Sequence, residues 1–207
     1  QKKINIIELM TSNFFEIQDG SFTASEKNKV NNVNLIIEKQ GEIISLLGPS
    51  GIGKTTILRT IAGLQKLSKG KIKLRDTILA SEDIHIEPEK RSVALSFQDN
   101  SLFPNYKVID NINFGEKRSN GYGSSVDVTE IIKLLRIEPI LEKYPHQISA
   151  GEAQRVSLAR SLMSKPDLLL LDEPFSNIDQ SLKEEIQVSV KKLLKRINLT
   201  TIIVTHD

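Results

Sequence analysis

An α/β fold around a mostly parallel sheet is what this 207-residue sequence predicts. Two observations carry that expectation. Short apolar runs alternate with helix-period segments at both ends of the chain, the pattern of strands laid parallel with helices packed over them. One apolar run opens onto the glycine-rich stretch Gly48-Pro-Ser-Gly-Ile-Gly-Lys-Thr55, and another closes on Asp172-Glu173-Pro174. Such punctuation belongs at the strand ends where open α/β sheets bind ligands.

The elements follow in order. Residues 1–40 read as strand-rich, broken by Asn, Ser and Lys turns. Glu42–Leu47 is a short strand, and Lys54–Leu64 a helix with Ile57, Leu58, Ile61 and Leu64 at helical spacing. Ser92–Phe97 is a second buried strand. Residues 100–147 turn helical, interrupted by Gly115–Val126, a Gly/Ser-rich stretch expected to be an exposed loop. At 146–163 a turn of small residues opens a helix in which Ala153, Val156, Ala159, Leu162 and Met163 recur as on one buried face. Leu168–Leu171 is a fully apolar strand, Leu182–Ile197 an amphipathic helix and Thr200–Thr205 the last strand. No internal repeat or separating linker appears.

Composition narrows the function classes. Hydrophobic residues at 39% and charged residues at 26% describe an ordinary globular domain. Lys and Arg number 28 against 26 Asp and Glu, a net charge of +2 that gives no footprint for nucleic acid, and none is expected as a partner. With no cysteine, disulfides and thiolate metal sites are excluded. No apolar run approaches the ~20 residues that cross a bilayer, and no segment reads as a secretory leader. A membrane role would have to come through a partner.

Chemistry concentrates in three places. The residues Gly48, Pro49, Ser50, Gly51, Ile52, Gly53, Lys54 and Thr55, followed by Thr56, match the phosphate loop G-x-x-x-x-G-K-[ST]. Its glycines let successive amides converge on phosphates, Lys54 reaches the β- and γ-phosphates, and the Thr55 hydroxyl suits Mg²⁺. Asp172 at the end of a buried strand could hold Mg²⁺, and Glu173 could accept a proton from attacking water. Finally, Ser149, Gly151 and Glu152 open a helix whose bare amides suit a phosphate. The same residues fit a capping box, Ser149 capping the helix and Glu152 reaching back, so both readings stand.

These three motifs together resemble the ATP-binding subunit of an ABC transporter over essentially the whole chain. The family's signature, usually Leu-Ser-Gly-Gly-Gln, reads Ile148-Ser-Ala-Gly-Glu152 here, with Ala150 for a glycine and Glu152 for a glutamine. The resemblance implies a P-loop NTPase core with a mostly parallel sheet, an N-terminal antiparallel β region and an inserted helical subdomain. The chain would be one ABC ATPase domain, 1–207, with residues 1–98 and 165–207 as core and about 99–164 as helical subdomain. It implies ATP and Mg²⁺ as cofactors. Gln98 would contact Mg²⁺ and water, Asp179 at the end of Ser176-Asn-Ile-Asp179 would lie across a dimer seam, and His206 would contact the γ-phosphate. An aromatic stacked on adenine is expected within residues 14–25, and Phe22 is chosen over Phe14 and Phe15. His85 and His146 match no role and are assigned to the surface.

In this family two subunits pack head to tail, so the resemblance places each ATP between Lys54 of one chain and Ser149 of a second copy or homologous cassette. Further partners implied are transmembrane permease subunits and, indirectly, a substrate-binding protein, with the chain at the cytoplasmic face of the inner membrane. The wording SLFPNYKVIDNINFG and DEPFSNID resembles importer cassettes for iron(III), polyamines, thiamine or oxyanions, and iron(III) is favoured. A soluble non-transport member, or the ATPase of an exporter with separate membrane subunits, is the alternative. A GTPase would want Asn-Lys-x-Asp after the loop, whereas Asn28-Lys-Val-Asn31 lacks the Asp and precedes it. The chain lacks an initiating Met and stops one residue after His206, so it is expected to be trimmed from a longer one.

Overall fold

The structure, a computed structural model, describes residues 13–25, 28–97, 101–117 and 126–205. Four strands form a purely parallel sheet in the order β3 (Ile43–Leu46), β8 (Thr200–Val204), β7 (Leu168–Asp172), β6 (Val93–Ser96). A second sheet is antiparallel, in the order β2 (Asn28–Ile37), β1 (Phe15–Ser25), β4 (Lys69–Leu74), β5 (Thr77–Ala80). The antiparallel region is therefore not confined to the N-terminus, since β4 and β5 return to it from beyond the first helix.

The interior strand β7 organises the core. All four of its leucines are fully buried, as a strand covered on both faces requires. Because side chains alternate along a strand, Leu168 and Leu170 join a cluster with Leu58 and Ile61 of α1 (Lys54–Ile61) and with the antiparallel sheet. Leu169 and Leu171 join the other cluster, built from the remaining helices: α2 (Val108–Lys117), α3 (Val128–Leu134), α4 (Ala150–Met163) and α5 (Gln180–Arg196). One strand thus divides the molecule into two packed layers and carries Asp172 at its end.

Two expectations need correction. Gly115 does not begin an exposed loop; it is buried within α2, where an added Cβ would stand 2.2 Å from the Arg160 carbonyl of α4. Only a glycine lets these helices approach so closely. Nor does α4 bury one face alone: the consecutive residues Val156, Ser157, Leu158 and Ala159 are all buried, a full turn of helix. The amphipathic α5, in contrast, buries Ile186, Val190, Leu193 and Leu194 on one stripe, as its spacing predicts.

The end of α1 is closed by a buried cation. Arg91 donates to the carbonyls of Thr60 and Ile61, and also to Ile86 and Leu79. Burial pushes its guanidinium down to about 10, and these carbonyls satisfy it in place of water. His146 is exposed and stacks on Tyr144, whereas His85 is half-buried with its Nδ1 shielded from solvent. No helix among the described residues is long and apolar enough to cross a membrane.

Candidate functional site

The loop after β3 turns into α1 through glycines in backbone regions that other residues avoid. Gly51 has φ 78°, and Gly53, at the N-cap of α1, has φ 103°. A Cβ on Gly53 would stand 2.3 Å from Val30 Cγ2 of β2, so both conformation and space demand glycine. No side chain caps α1, and its first turn holds no acid. Its amides and the positive end of its dipole are left for an anion.

Lys54 is 8% exposed, and its ammonium folds back to donate to the carbonyls of Gly48 and, at 2.9 Å, Pro49. The Thr55 hydroxyl stands beside the Asp172 carboxylate at the end of β7 and favours its charged form. Asp172 is 5% exposed. Burial pushes its carboxyl above the usual range and the neighbouring Glu173 adds to this, while the Thr55 hydroxyl, Arg59 and Lys54 oppose it. Its Oδ1 is buried with no hydrogen-bond partner among the described residues. A buried carboxylate oxygen left over beside a hydroxyl is a donor pair suited to a hard cation that keeps phosphate oxygens and waters for its other positions. The residues fit Mg²⁺.

Glu173 follows in the left-handed region, with φ 48°. Its N–H donates to Val204 O of β8 at 3.0 Å, and its carbonyl accepts from Gln154 and Ser176. The adjoining turn leads to Asp179, exposed at the N-cap position of α5, whose backbone carbonyl takes the first amides of that helix.

At the start of α4 both readings of Ser149 meet one geometry. Ser149 Oγ accepts from the Glu152 N–H at 3.2 Å, and Ser149 N–H donates to the Glu152 carboxylate at 2.7 Å. The capping box is formed. That backbone bond holds the Glu152 carboxyl below its usual range. Gly151 packs against the carbonyl of Asn177, which a Cβ would approach to 2.5 Å.

The fold thus brings Lys54, Thr55, Asp172 and Glu173 together at one edge of the parallel sheet. Ser149 and Glu152 bond to each other, and Gly151 meets Asn177; none of these contacts is to the loop 48–55. Gln98 and His206 lie outside the described residues. Phe22 is a correction. It is 0% exposed inside the antiparallel layer, paired with Val30, and an added Cβ on Gly20 would stand 2.8 Å from its ring. A ring packed on both faces cannot lie on a base, and Phe14 and Phe15 are buried as well. Sequence reasoning also missed Gln154 and Arg59. Gln154 lies between Ala153 and Val156 of the apolar stripe with nothing local to mark its role, and Arg59 falls one turn beyond Thr55 with nothing to mark its proximity to Asp172.

Residues 30–176 match the family described as ABC transporter. The Fe(3+) ions import ATP-binding protein FbpC of Fusobacterium nucleatum subsp. nucleatum is 39% identical over 182 residues, 84% of this chain and 48% of that protein. The trehalose/maltose import ATP-binding protein MalK of Thermococcus litoralis is 42% identical over 173 residues, 82% of this chain and 46% of its own length. The chain spans about half the length of these curated relatives. Among solved structures, the ATP-binding cassette MJ0796, in a dimeric post-hydrolysis state bound to ADP and Pi, superposes with a TM-score of 0.78 at 26% identity, covering 93% of this chain and 88% of that one.

Proposed function

Because this chain belongs to the ABC transporter family, we propose that it powers an importer, working as a head-to-tail dimer in which each ATP lies between Lys54 of one copy and Ser149 of the other. The domain is an ATPase domain, with ATP as its nucleotide and Mg²⁺ as the accompanying metal. The observation that carries the reading is the Thr55–Asp172 pair, with its unpartnered carboxylate oxygen, set beside Lys54 under an uncapped helix start. The dimeric neighbour structure supports the pairing of copies.

On nucleotide binding, Lys54 exchanges the carbonyls of Gly48 and Pro49 for the β- and γ-phosphates, and the amides from Gly51 to Thr56 take the phosphate oxygens. Thr55 and Asp172 would hold Mg²⁺, which when bound supplies positive charge to the phosphate oxygens. Glu173 takes a proton from the attacking water as its oxygen bonds the γ-phosphorus. The bond to ADP breaks, releasing ADP and inorganic phosphate with no covalent protein intermediate. Following the family motif, Gln98 orients that water and His206 holds the γ-phosphate, with Asp179 at the seam.

The permease subunits, an associated substrate-binding protein and a place at the cytoplasmic membrane face belong to the same proposal, on the strength of import relatives. Iron(III) is the cargo we favour, since two relatives are Fe(3+) import proteins. The test of the catalytic reading is Glu173→Gln. ATP binding should persist while turnover falls about 10²–10⁴-fold, the worth of a general base, and a stable ATP-bound dimer should appear on size-exclusion chromatography. Hydrolysis at the wild-type rate would remove Glu173 from the role.

A further inference from the structure

Gln154 is a polar side chain buried in the middle of the domain, 1% exposed on α4. A buried carboxamide is costly unless its donors and acceptor are used. Among the described residues all its hydrogen-bond partners lie in one short segment, 173–177. Nε2 donates to the Glu173 carbonyl at 2.8 Å and to Ser176 Oγ at 3.2 Å, while Oε1 accepts from the Asn177 N–H at 3.0 Å. One partner is a carbonyl and another an N–H, so the amide can face only one way. Ser176 Oγ donates to the same Glu173 carbonyl at 3.1 Å.

The first turn of α4 reaches this segment as well, through the close approach of Gly151 to Asn177. The start of α4 and residues 173–178 are therefore packed and hydrogen-bonded as one unit. At one end of that unit stands Ser149. At the other stands Glu173, left-handed at φ 48°, a conformation unfavourable for a residue with a side chain. Its peptide groups are gripped on both sides, by Val204 through the N–H and by Gln154 through the carbonyl. Those two grips set the direction in which the Glu173 side chain leaves the backbone.

We propose that Gln154 is a positioning residue that couples the two nucleotide sites of the dimer: a phosphate held by the partner copy and contacted by Ser149 fixes the start of α4, and the Gln154 amide passes that placement to the Glu173 backbone. The carboxylate serving one ATP is thereby aimed when the other ATP is engaged. This rests on the dimeric ATPase reading above. An apolar side chain of the same length would fill the space equally well, but it could not direct a carbonyl and an N–H at once.

The test compares the wild-type chain with Gln154→Met, of equal length and apolar, and with Ser176→Ala, at an exposed position. In Gln154→Met, kcat should fall roughly tenfold or more and the Hill coefficient for ATP should drop to 1, with KM and binding of a fluorescent ATP analogue within about twofold of wild type. Ser176→Ala should move kcat and the Hill coefficient in the same direction by less. Unchanged kcat and Hill coefficient in folded Gln154→Met overturns the proposal, as does a loss of nucleotide affinity in step with kcat, which would make Gln154 a packing residue. If Gln154→Met does not fold, Ser176→Ala decides by the same two readouts. A wild-type chain that hydrolyses no ATP, or Glu173→Gln that forms no ATP-stable dimer, refutes the dimeric reading itself, and the coupling falls with it.

Discussion

Two helices of this domain begin at sequences suited to phosphate, and they begin differently. The start of α1 has no side-chain cap, no acid in its first turn, and a lysine bent back onto the carbonyls of its own loop. The start of α4 is closed by Ser149 and Glu152, each bonded to the backbone amide of the other. Both solve the same problem, the orphan amides at a helix N-terminus. The first leaves it to a ligand; the second solves it within the chain. On the proposed reading, an uncapped start next to Thr55 and Asp172 would bind nucleotide by itself, whereas a capped start would contribute only when a phosphate competes successfully with Glu152. Such a start suits the weaker, later contact made across a dimer.

Substitutions can separate the two starts. Lys54→Ala should produce the largest change, weakening ATP binding about tenfold to a hundredfold, since charge-assisted hydrogen bonds are worth about 1.5–3 kcal/mol. Titration with a fluorescent ATP analogue reads it, and wild-type affinity would show that the folded-back lysine never leaves its loop. Ser149→Ala should leave that affinity unchanged in the single chain but remove a cap worth about 1 kcal/mol, lowering Tm by about 2–4 °C for a domain of this size.

Asp172→Asn keeps an acceptor for Thr55 while removing a buried, partly unpaired charge. The nucleotide-free chain should therefore melt at a slightly higher temperature, and Mg²⁺-dependent ATP affinity should fall. A lower Tm without nucleotide would mean that the charge is stabilising as it stands.

Glu152→Gln should do least near neutral pH, because glutamine also completes a capping box. Glu152 has its carboxyl held below the usual range, so its contribution is fully present above the ordinary glutamate value and is lost as pH falls through the lower folded value. The variant and wild type should diverge in Tm only on acidification. Divergence at neutral pH would indicate a role for the charge beyond the cap.

The sequence made the α1 start legible because its motif is local: nine consecutive residues specify the loop, and the apolar run before Asp172 places the carboxylate. What escaped depends on distant neighbours. Phe15 and Ile17 alternate inward on β1, but register shifts on either side of Gly20 change the parity, so Phe22 also turns into the core. An aromatic chosen by spacing alone could not reveal that. In KGKIKL, lysines alternate with Ile72 and Leu74 as a half-buried strand should, yet β4 finds its place only by returning to β1, and β5 by folding back on β4. The burial of Gln154 likewise depends on residues 173–177, which the local sequence of α4 does not announce.

Under the proposal above, the open start of one chain and the capped start of another form one site. The most direct test of this mixes two differently tagged preparations, one carrying Lys54→Ala and the other Ser149→Arg, with Glu173→Gln in both to retain nucleotide. Each homodimer then has two damaged sites. In the mixed pair, a shared site joins the intact Lys54 of one chain to the intact Ser149 of the other and leaves one site whole, whereas sites formed within single chains would all remain broken. ATP-dependent crosslinking of the mixed pair should lie well above that of either homodimer. Equal capture of all three pairs, with ATP binding retained by the Ser149→Arg chain, would contradict it and leave the start of α4 as a capping box alone.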